Sequence, residues 1–482
     1  MGLIGFFFSK RREGYGLPAC AVVGTAGAWY LGDALYNDYS VYVKEFGPRI
    51  LETAWWQVVL FLVTFAALVK PLHNRMNRKL IGRKSRVCAL METNFLENAN
   101  LQNNISKATS ALFSAWVILM IVALWRTDWN FQGLFLPFLA DRAEPWARGR
   151  IGGGIDALIS LGNYVHTFLV AAAGLAFAIS KRPGRMLAGI VFFLGAPYFL
   201  FGRTRNTMLA VLLPGLLAWV FFRLKGGILM KGVVLAAAFA VVSAWFAFVL
   251  QIRSGGSVAR AFSQGGVGAV MQATEGEEAK HLGFNMYEEL AWCTLLIEQG
   301  RYRVNWGERY FAELVNVVPR TLWKDKPLIG IDYALARGYG WEGAGEGSGG
   351  IAASISTGMI GQGVVNFGGL LGPMATALLM ALWAAVLAKQ DLTAEDPARL
   401  LLYGVGMILT FNLGRDITLI TLYPFLFGWM ILTWWDNRRA KVQMRQEVGE
   451  PGRQAVRGSP LRMTREKIEE ERKRARGGAS PV

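Results

Sequence analysis

Arg320, Lys324 and Lys326 stand with Trp323 between two prolines, in the run Val318-Pro319-Arg320-Thr321-Leu322-Trp323-Lys324-Asp325-Lys326-Pro327. Cations held in a proline-bounded run suit an anionic ligand, and a planar guanidinium grips phosphate oxygens two at a time. Other cations fall at the same face of the chain by its loop charges. Arg203 and Arg205 occupy a tight turn, Arg253 ends an apolar run, and Arg415 sits in a second tight turn. A single arginine snorkelling at a helix end is commonplace. Together with Arg320, Lys324 and Lys326 these residues could form one ring of positive charge. The surrounding loop is not basic as a whole, because Glu275, Glu277, Glu278, Glu308 and Glu313 roughly balance its cations. Charge that is positive only locally fits a phosphate site.

Acid–base chemistry has fewer candidates. His281 lies beside the acidic cluster and could serve as a general base near neutral pH, although a surface histidine is the plainer reading. Glu288 and Glu289 are the carboxylate candidates, with Asp332 behind them. Asp325 reads as an ion-pair partner of the neighbouring lysines. Residues 338–350 are Gly-rich, and Tyr339 and Trp341 there could stack on sugar rings or merely belong to a flexible linker. The three cysteines, Cys20, Cys88 and Cys293, are too few and too far apart for a disulfide framework or a metal site. No HExxH, CxxC or GxSxG pattern occurs, and a GxGxxG match at Gly345, Gly347 and Gly350 has no strand before it. None of these patterns offers a metal or cofactor site.

The elements that must position these residues are membrane helices. The chain is 53% hydrophobic and 18% charged over 482 residues, too apolar for a soluble protein of that length. Apolar runs predict ten transmembrane helices at 17–36, 53–70, 108–125, 155–180, 186–201, 206–222, 228–250, 367–388, 398–414 and 416–435. The stretches 131–140 and 351–366 are apolar but short or Gly-rich, and read as interfacial or re-entrant. Lys10, Arg11, Arg12, the basic residues of 75–86, and Lys181, Arg182 and Arg185 fall on one side if both termini are cytoplasmic. The formal charge of +17 then serves orientation and attraction to anionic lipid, and nothing in it suggests nucleic-acid binding. The expected plan is all-α and polytopic. Residues 1–251 hold seven membrane helices, 252–350 form a large external loop, 351–436 hold a re-entrant segment and three more helices, and 437–482 form a basic cytoplasmic tail. Within the loop, helical spacing predicts helices over 285–299 and 307–317, the first with Met286, Leu290, Cys293 or Thr294, and Ile297 on one face.

Pro-Arg-x-Leu-Trp-x-x-Lys-Pro at 319–327 resembles a motif of the bacterial oligosaccharide repeat unit polymerases, the Wzy-type O-antigen polymerases. Trp306-Gly307-Glu308-Arg309-Tyr310 is similar to the Gly-x-x-Tyr segment upstream of that motif. Asn366-Phe367-Gly368-Gly369 is similar to the family's Asn-Phe-Gly stretch, and Arg203 and Arg205 match arginines carried in an external turn. The resemblance covers about 200–430. It implies a metal-independent membrane glycosyltransferase of the bacterial inner membrane. Such an enzyme joins repeat units carried on undecaprenyl pyrophosphate at the periplasmic face, with a flippase and a chain-length regulator as partners. The cations would then hold the lipid pyrophosphate, a base would serve the acceptor hydroxyl, and Trp323 would belong to the substrate site. Two other readings share some features: an O-antigen ligase-like transferase, and a transporter of anionic or lipid-linked sugars. The absence of internal repeats and of midplane charges speaks against the transporter.

Overall fold

The computed structural model describes residues 2–92, 97, 99–137, 142–146, 154–201, 205–255, 285–315, 318, 322–323, 325, 327, 331–338, 355–393 and 397–449. Among these residues every regular element is helical. The chain runs through α1 (Gly2–Ser9), α2 (Gly16–Ala26), α3 (Gly32–Tyr36), α4 (Tyr39–Met76), α5 (Arg86–Glu92), α6 (Ala99–Arg126) and α7 (Phe131–Phe135). It continues through α8 (Gly154–Ile179), α9 (Gly184–Leu200), α10 (Arg205–Phe222) and α11 (Ile228–Gly255). After the loop come α12 (Met286–Glu298), α13 (Glu308–Val315), α14 (Ile331–Ala336), α15 (Gly358–Leu392), α16 (Pro397–Leu413) and α17 (Leu419–Gly449). A π-turn over Gly27–Leu31 joins α2 to α3.

Four helical stretches are long and apolar enough to cross a membrane: Tyr39–Met76, Gln102–Arg126, Gly162–Ile179 and Gly358–Leu392. Gly184–Leu200, Thr207–Val220, Leu229–Val242 and Arg399–Leu413 are apolar but shorter. Large apolar side chains such as Trp56, Val63, Ile118, Trp125 and Leu370 are exposed along the long helices, as expected where lipid rather than water is the solvent. The molecule is thus consistent with an all-α membrane protein. Residues 1–428 form one compact unit. Residues 429–482 form a second, whose described part, 429–449, is the remainder of α17.

Two glycines shape the region that matters for function. In α4, Gly47 has φ 74°, and Pro48 follows it at the start of the longer helical part. In α15, Gly368 has φ 81° and ψ 176°, a backbone state that other residues rarely adopt. There the chain doubles back, so that 358–367 lies against the start of 369–392. Thr376 Oγ1 donates to the Met359 carbonyl at 3.1 Å. Gly363 and Gly372 meet backbone to backbone, where a Cβ on Gly363 would stand 2.3 Å from the Gly372 carbonyl oxygen. The segment 351–366 was expected to be interfacial or re-entrant; its described part is the short arm of this helical hairpin.

The hairpin packs on α4, and α12 packs on both. Residues 285–299 were expected to show one buried face. Instead Met286, Tyr287, Glu288, Glu289, Leu290, Ala291, Cys293, Thr294 and Leu296 are all buried, which is most of the circumference. The helix tolerates this because its polar groups find partners inside the protein. Asp33 of α3 accepts the backbone N–H groups of Tyr287 at 2.7 Å and Glu288 at 3.0 Å, capping α12 from 254 residues away. Tyr42 donates to the same carboxylate at 2.9 Å. Thr294 donates to Gln57 Oε1 at 3.2 Å.

Candidate functional site

The centre of the site is α13. Trp306 and Gly307, with φ 52° and 94°, turn the chain into this helix. Its N-terminal turn is pinned to the short arm of the hairpin: Asn305 N–H donates to the Val365 carbonyl at 3.3 Å, and Tyr310 N–H to Asn366 Oδ1 at 3.4 Å. The Tyr310 ring stacks on Phe367 with centroids 6.1 Å apart, and its hydroxyl meets Thr376 Oγ1 at 3.3 Å. Two segments more than fifty residues apart, Trp306–Tyr310 and Asn366–Gly369, are therefore neighbours in space.

Arg309 and Glu313 are one turn apart on the inward face of α13, each only 4% exposed. Arg309 Nη2 donates to the Ile355 carbonyl at 3.2 Å and lies 3.9 Å from Asp416 Oδ1. Its Nε and Nη1 have no hydrogen-bond partner among the described residues, and neither does Glu313 Oε2. Buried donors of a charged group rarely go unsatisfied. Burial works against the charge of Arg309, but Asp416, Asp332 and Glu313 more than offset it and raise its pKa. Burial, the nearby Asp416 charge and only partial relief from Arg309 push Glu313 up to about 7. Asp416 is likewise raised by burial, against the pull of Arg309, Ser356 and the Thr357 backbone.

The loop between α16 and α17 completes this wall. Gln362 bridges it twice, donating to the Ile417 carbonyl at 3.1 Å and accepting from Ile417 N–H at 2.8 Å. Arg415 Nε donates to Ser356 Oγ at 3.1 Å. Of the cations expected to form a ring, Arg415 is the one whose side chain is described. Arg205 starts α10 and Arg253 lies near the end of α11, with side chains outside the described set. Arg203, Arg320, Lys324 and Lys326 lie outside the described residues, as do His281, Tyr339 and Trp341. Trp323 is described. Its ring meets Phe311 of α13 edge-on at 6.3 Å, which ties the cation motif to the helix that carries Arg309 and Glu313.

Glu288 and Glu289 form a second buried group at the start of α12. Arg337 Nη2 lies 3.2 Å from Glu289 Oε1 and 3.9 Å from Glu288 Oε1, with its guanidinium 3.9 Å over the Trp292 ring. Tyr333 donates to Glu289 Oε2 at 2.8 Å. Burial and the adjacent Glu289 charge push Glu288 up to about 7. Glu289 is thus committed to two partners, a positioning arrangement rather than an open base. Asp332 accepts from Tyr302 at 2.5 Å, which leaves it one oxygen fewer for chemistry.

Arg309, Glu313 and Asp416 were not among the expected site residues. Glu313 had been counted only as a countercharge of the loop, and Arg309 only as part of a motif. The usable signal was their i, i+4 spacing opposite Phe311 and Leu314. The arrangement can do two things. Buried, unpartnered guanidinium N–H groups can hold a ligand oxygen that reaches them, and a carboxylate titrating near 7 can take a proton from a hydroxyl. Three carboxylates around one guanidinium leave the centre negative when ionised, so it suits a hydroxyl-bearing ligand better than a phosphate. No group of three His, Cys, Asp or Glu side chains among the described residues is arranged to hold a metal ion. The chain matches no protein-family profile, no curated protein and no solved structure.

Proposed function

We propose that this protein is a membrane glycosyltransferase that polymerises oligosaccharide repeat units carried on undecaprenyl pyrophosphate. It works without a metal, at the external face of a bacterial inner membrane, on a scaffold of about ten spans with both termini cytoplasmic. The observation that supports this reading best is Glu313. It is buried, titrates near neutrality, sits one turn from Arg309, and lies on the helix that leads into the cation motif at 319–327.

The chemistry divides between two places. A hydroxyl of the incoming unit lies between Arg309 and Glu313. Its oxygen attacks the anomeric carbon of the growing chain while Glu313 takes the proton. The bond from that carbon to the pyrophosphate oxygen breaks, and the electron pair leaves with the lipid pyrophosphate. Arg320, Lys324 and Lys326, with Arg203 and Arg205, meet that developing charge; preorganised charge of this kind is usually the largest catalytic contribution. Trp323 packed on Phe311 keeps the two places together. A flippase supplies the units, and a chain-length regulator acts on the same machine.

The test is polymer laddering from purified lipid-linked repeat units, with expression and folding matched. Glu313→Gln keeps the shape and hydrogen-bonding capacity but cannot take the proton, and is expected to slow elongation by roughly 10²–10⁴-fold. Near-normal ladders from this variant would remove Glu313 as the base. Near-normal ladders from Arg203→Ala, Arg205→Ala and Arg320→Ala, each alone, would remove the phosphate clamp.

A further inference from the structure

α13 is inside out. Two of its three charged residues, Arg309 and Glu313, point into the protein, while Glu308 at its start is exposed and Phe311 and Leu314 on the opposite face are 50% and 61% exposed. Trp306 before the helix and Leu322 after it are 73% and 80% exposed, and Trp323 extends the same apolar surface through its contact with Phe311. A helix in water buries its apolar face and turns its charges outward. The reverse arrangement is stable only if the medium behind the helix is apolar. Neighbouring structure identifies that medium. Tyr310 stacks on Phe367, immediately before the turn at Gly368, and beyond it Leu370, Leu371 and Met374 begin the exposed apolar stripe of α15, a helix long enough to cross a bilayer. Tryptophans enrich such boundaries because their rings are apolar with one polar edge. Arg301 and Arg303 are exposed just ahead of the turn, where lipid phosphates would meet them.

We infer that α13 is an interfacial helix whose outer face, Trp306, Phe311, Leu314, Leu322 and Trp323, is seated in the lipid of the leaflet that surrounds the external end of α15. It lies in the plane of the boundary rather than spanning it. The consequence rests on the proposed reaction only for the identity of the cargo. A helix with lipid at its back and Arg309 and Glu313 at its front marks the place where a lipid-borne substrate passes from the bilayer into the site. The headgroup need not leave the membrane surface to reach the base.

The experiment is spin-label accessibility in nanodiscs of phosphatidylethanolamine and phosphatidylglycerol, using the full chain. Leu314→Cys is labelled in a Cys20→Ser background; Cys88 and Cys293 are buried and stay unmodified. Glu308→Cys, exposed at the start of the same helix and about 120° round its axis from Leu314, is the reference. At position 314 collisions with oxygen should exceed those with a water-soluble nickel chelate, and the ratio should reverse at 308. A label at 314 that meets the nickel chelate as readily as at 308 overturns the inference, because the face is then in water. A label immobilised and reached by neither reagent also overturns it, because protein then covers the face. Neither readout depends on polymer formation. A lipid-seated 314 with a fully active Glu313→Gln would therefore reject the proposed chemistry and leave the docking surface standing.

Discussion

At the residue scale, the proposal concentrates on a carboxylate that must be ionised to act. Glu313 titrates near 7 because burial and Asp416 disfavour its charge, so the elongation rate should climb as pH rises through about 7 and level off above it. The same shift has the opposite effect on stability. The folded state holds the proton up to about 7, and the unfolded chain releases it near 4.5. The contribution is complete below about 4.5 and is lost as pH rises through about 7. Thermal unfolding in detergent should show the midpoint falling across that window, and Glu313→Gln should flatten the fall; an unchanged slope would mean the carboxylate titrates normally. Arg309 offers a separate measurement. Arg309→Lys keeps the charge but loses the planar fork, and the unpartnered donors are Nε and Nη1. A charge-assisted contact is worth roughly 1.5–3 kcal/mol, so the variant should lose about 10–150-fold in elongation rate. Wild-type turnover in Arg309→Lys would mean that no ligand uses those donors. None of this was legible from loop composition, which treats Arg309 and Glu313 as cancelling charges. The spacing held the information, but it becomes meaningful only once one face is known to point inward.

At the element scale, hydropathy found the long arm of α15 as an apolar run over 367–388 and marked 351–366 as unlike a normal span. It could not supply the register of the fold-back, which is set by small residues rather than by apolarity. Gly363 and Gly372 meet with backbone atoms where a side chain has no room. Gly363→Ala should therefore cost about 1–3 kcal/mol through overpacking and release Asn366 from the N-terminal turn of α13. Gly24→Ala is the control, since a Cβ at Gly24 meets nothing within 4 Å. If the two variants melt together in detergent, the close approach is not what holds the hairpin. The burial of α12 was misread for a related reason. Its cap comes from Asp33 on α3. A partner 254 residues distant leaves no trace in local periodicity.

At the scale of the whole molecule, charge on the loops gave an orientation, and reporter fusions at 73–77 and 437–449 should report from the cytoplasm. Cys293 is 1% exposed and cannot serve as a native labelling site; an added cysteine at 314 serves instead. Truncation after Arg445 removes basic tail and should leave ladders unchanged, because every described group of the site lies before residue 428. Loss of activity in a well-inserted truncation would count against that. The site is also stitched from both ends of the chain. Tyr30 accepts through its hydroxyl from Ile360 N–H at 2.8 Å, Trp29 donates to the Phe411 carbonyl at 2.8 Å, and Asp33 caps α12. Tyr30 and Ile360 are separated by 330 residues. At translation rates of about 5–20 residues per second, that separation is roughly 20–60 s of synthesis. For at least that interval Trp29 and Tyr30 lack these distant partners, while Asp33 already has Tyr42 and Asn37 beside it. The ribosome thus finishes most of the protein before Trp29 and Tyr30 meet these partners, so quality control that surveys polar groups in nascent membrane segments has a longer opportunity at those two side chains than at Asp33, whose partner on α12 is 254 residues away.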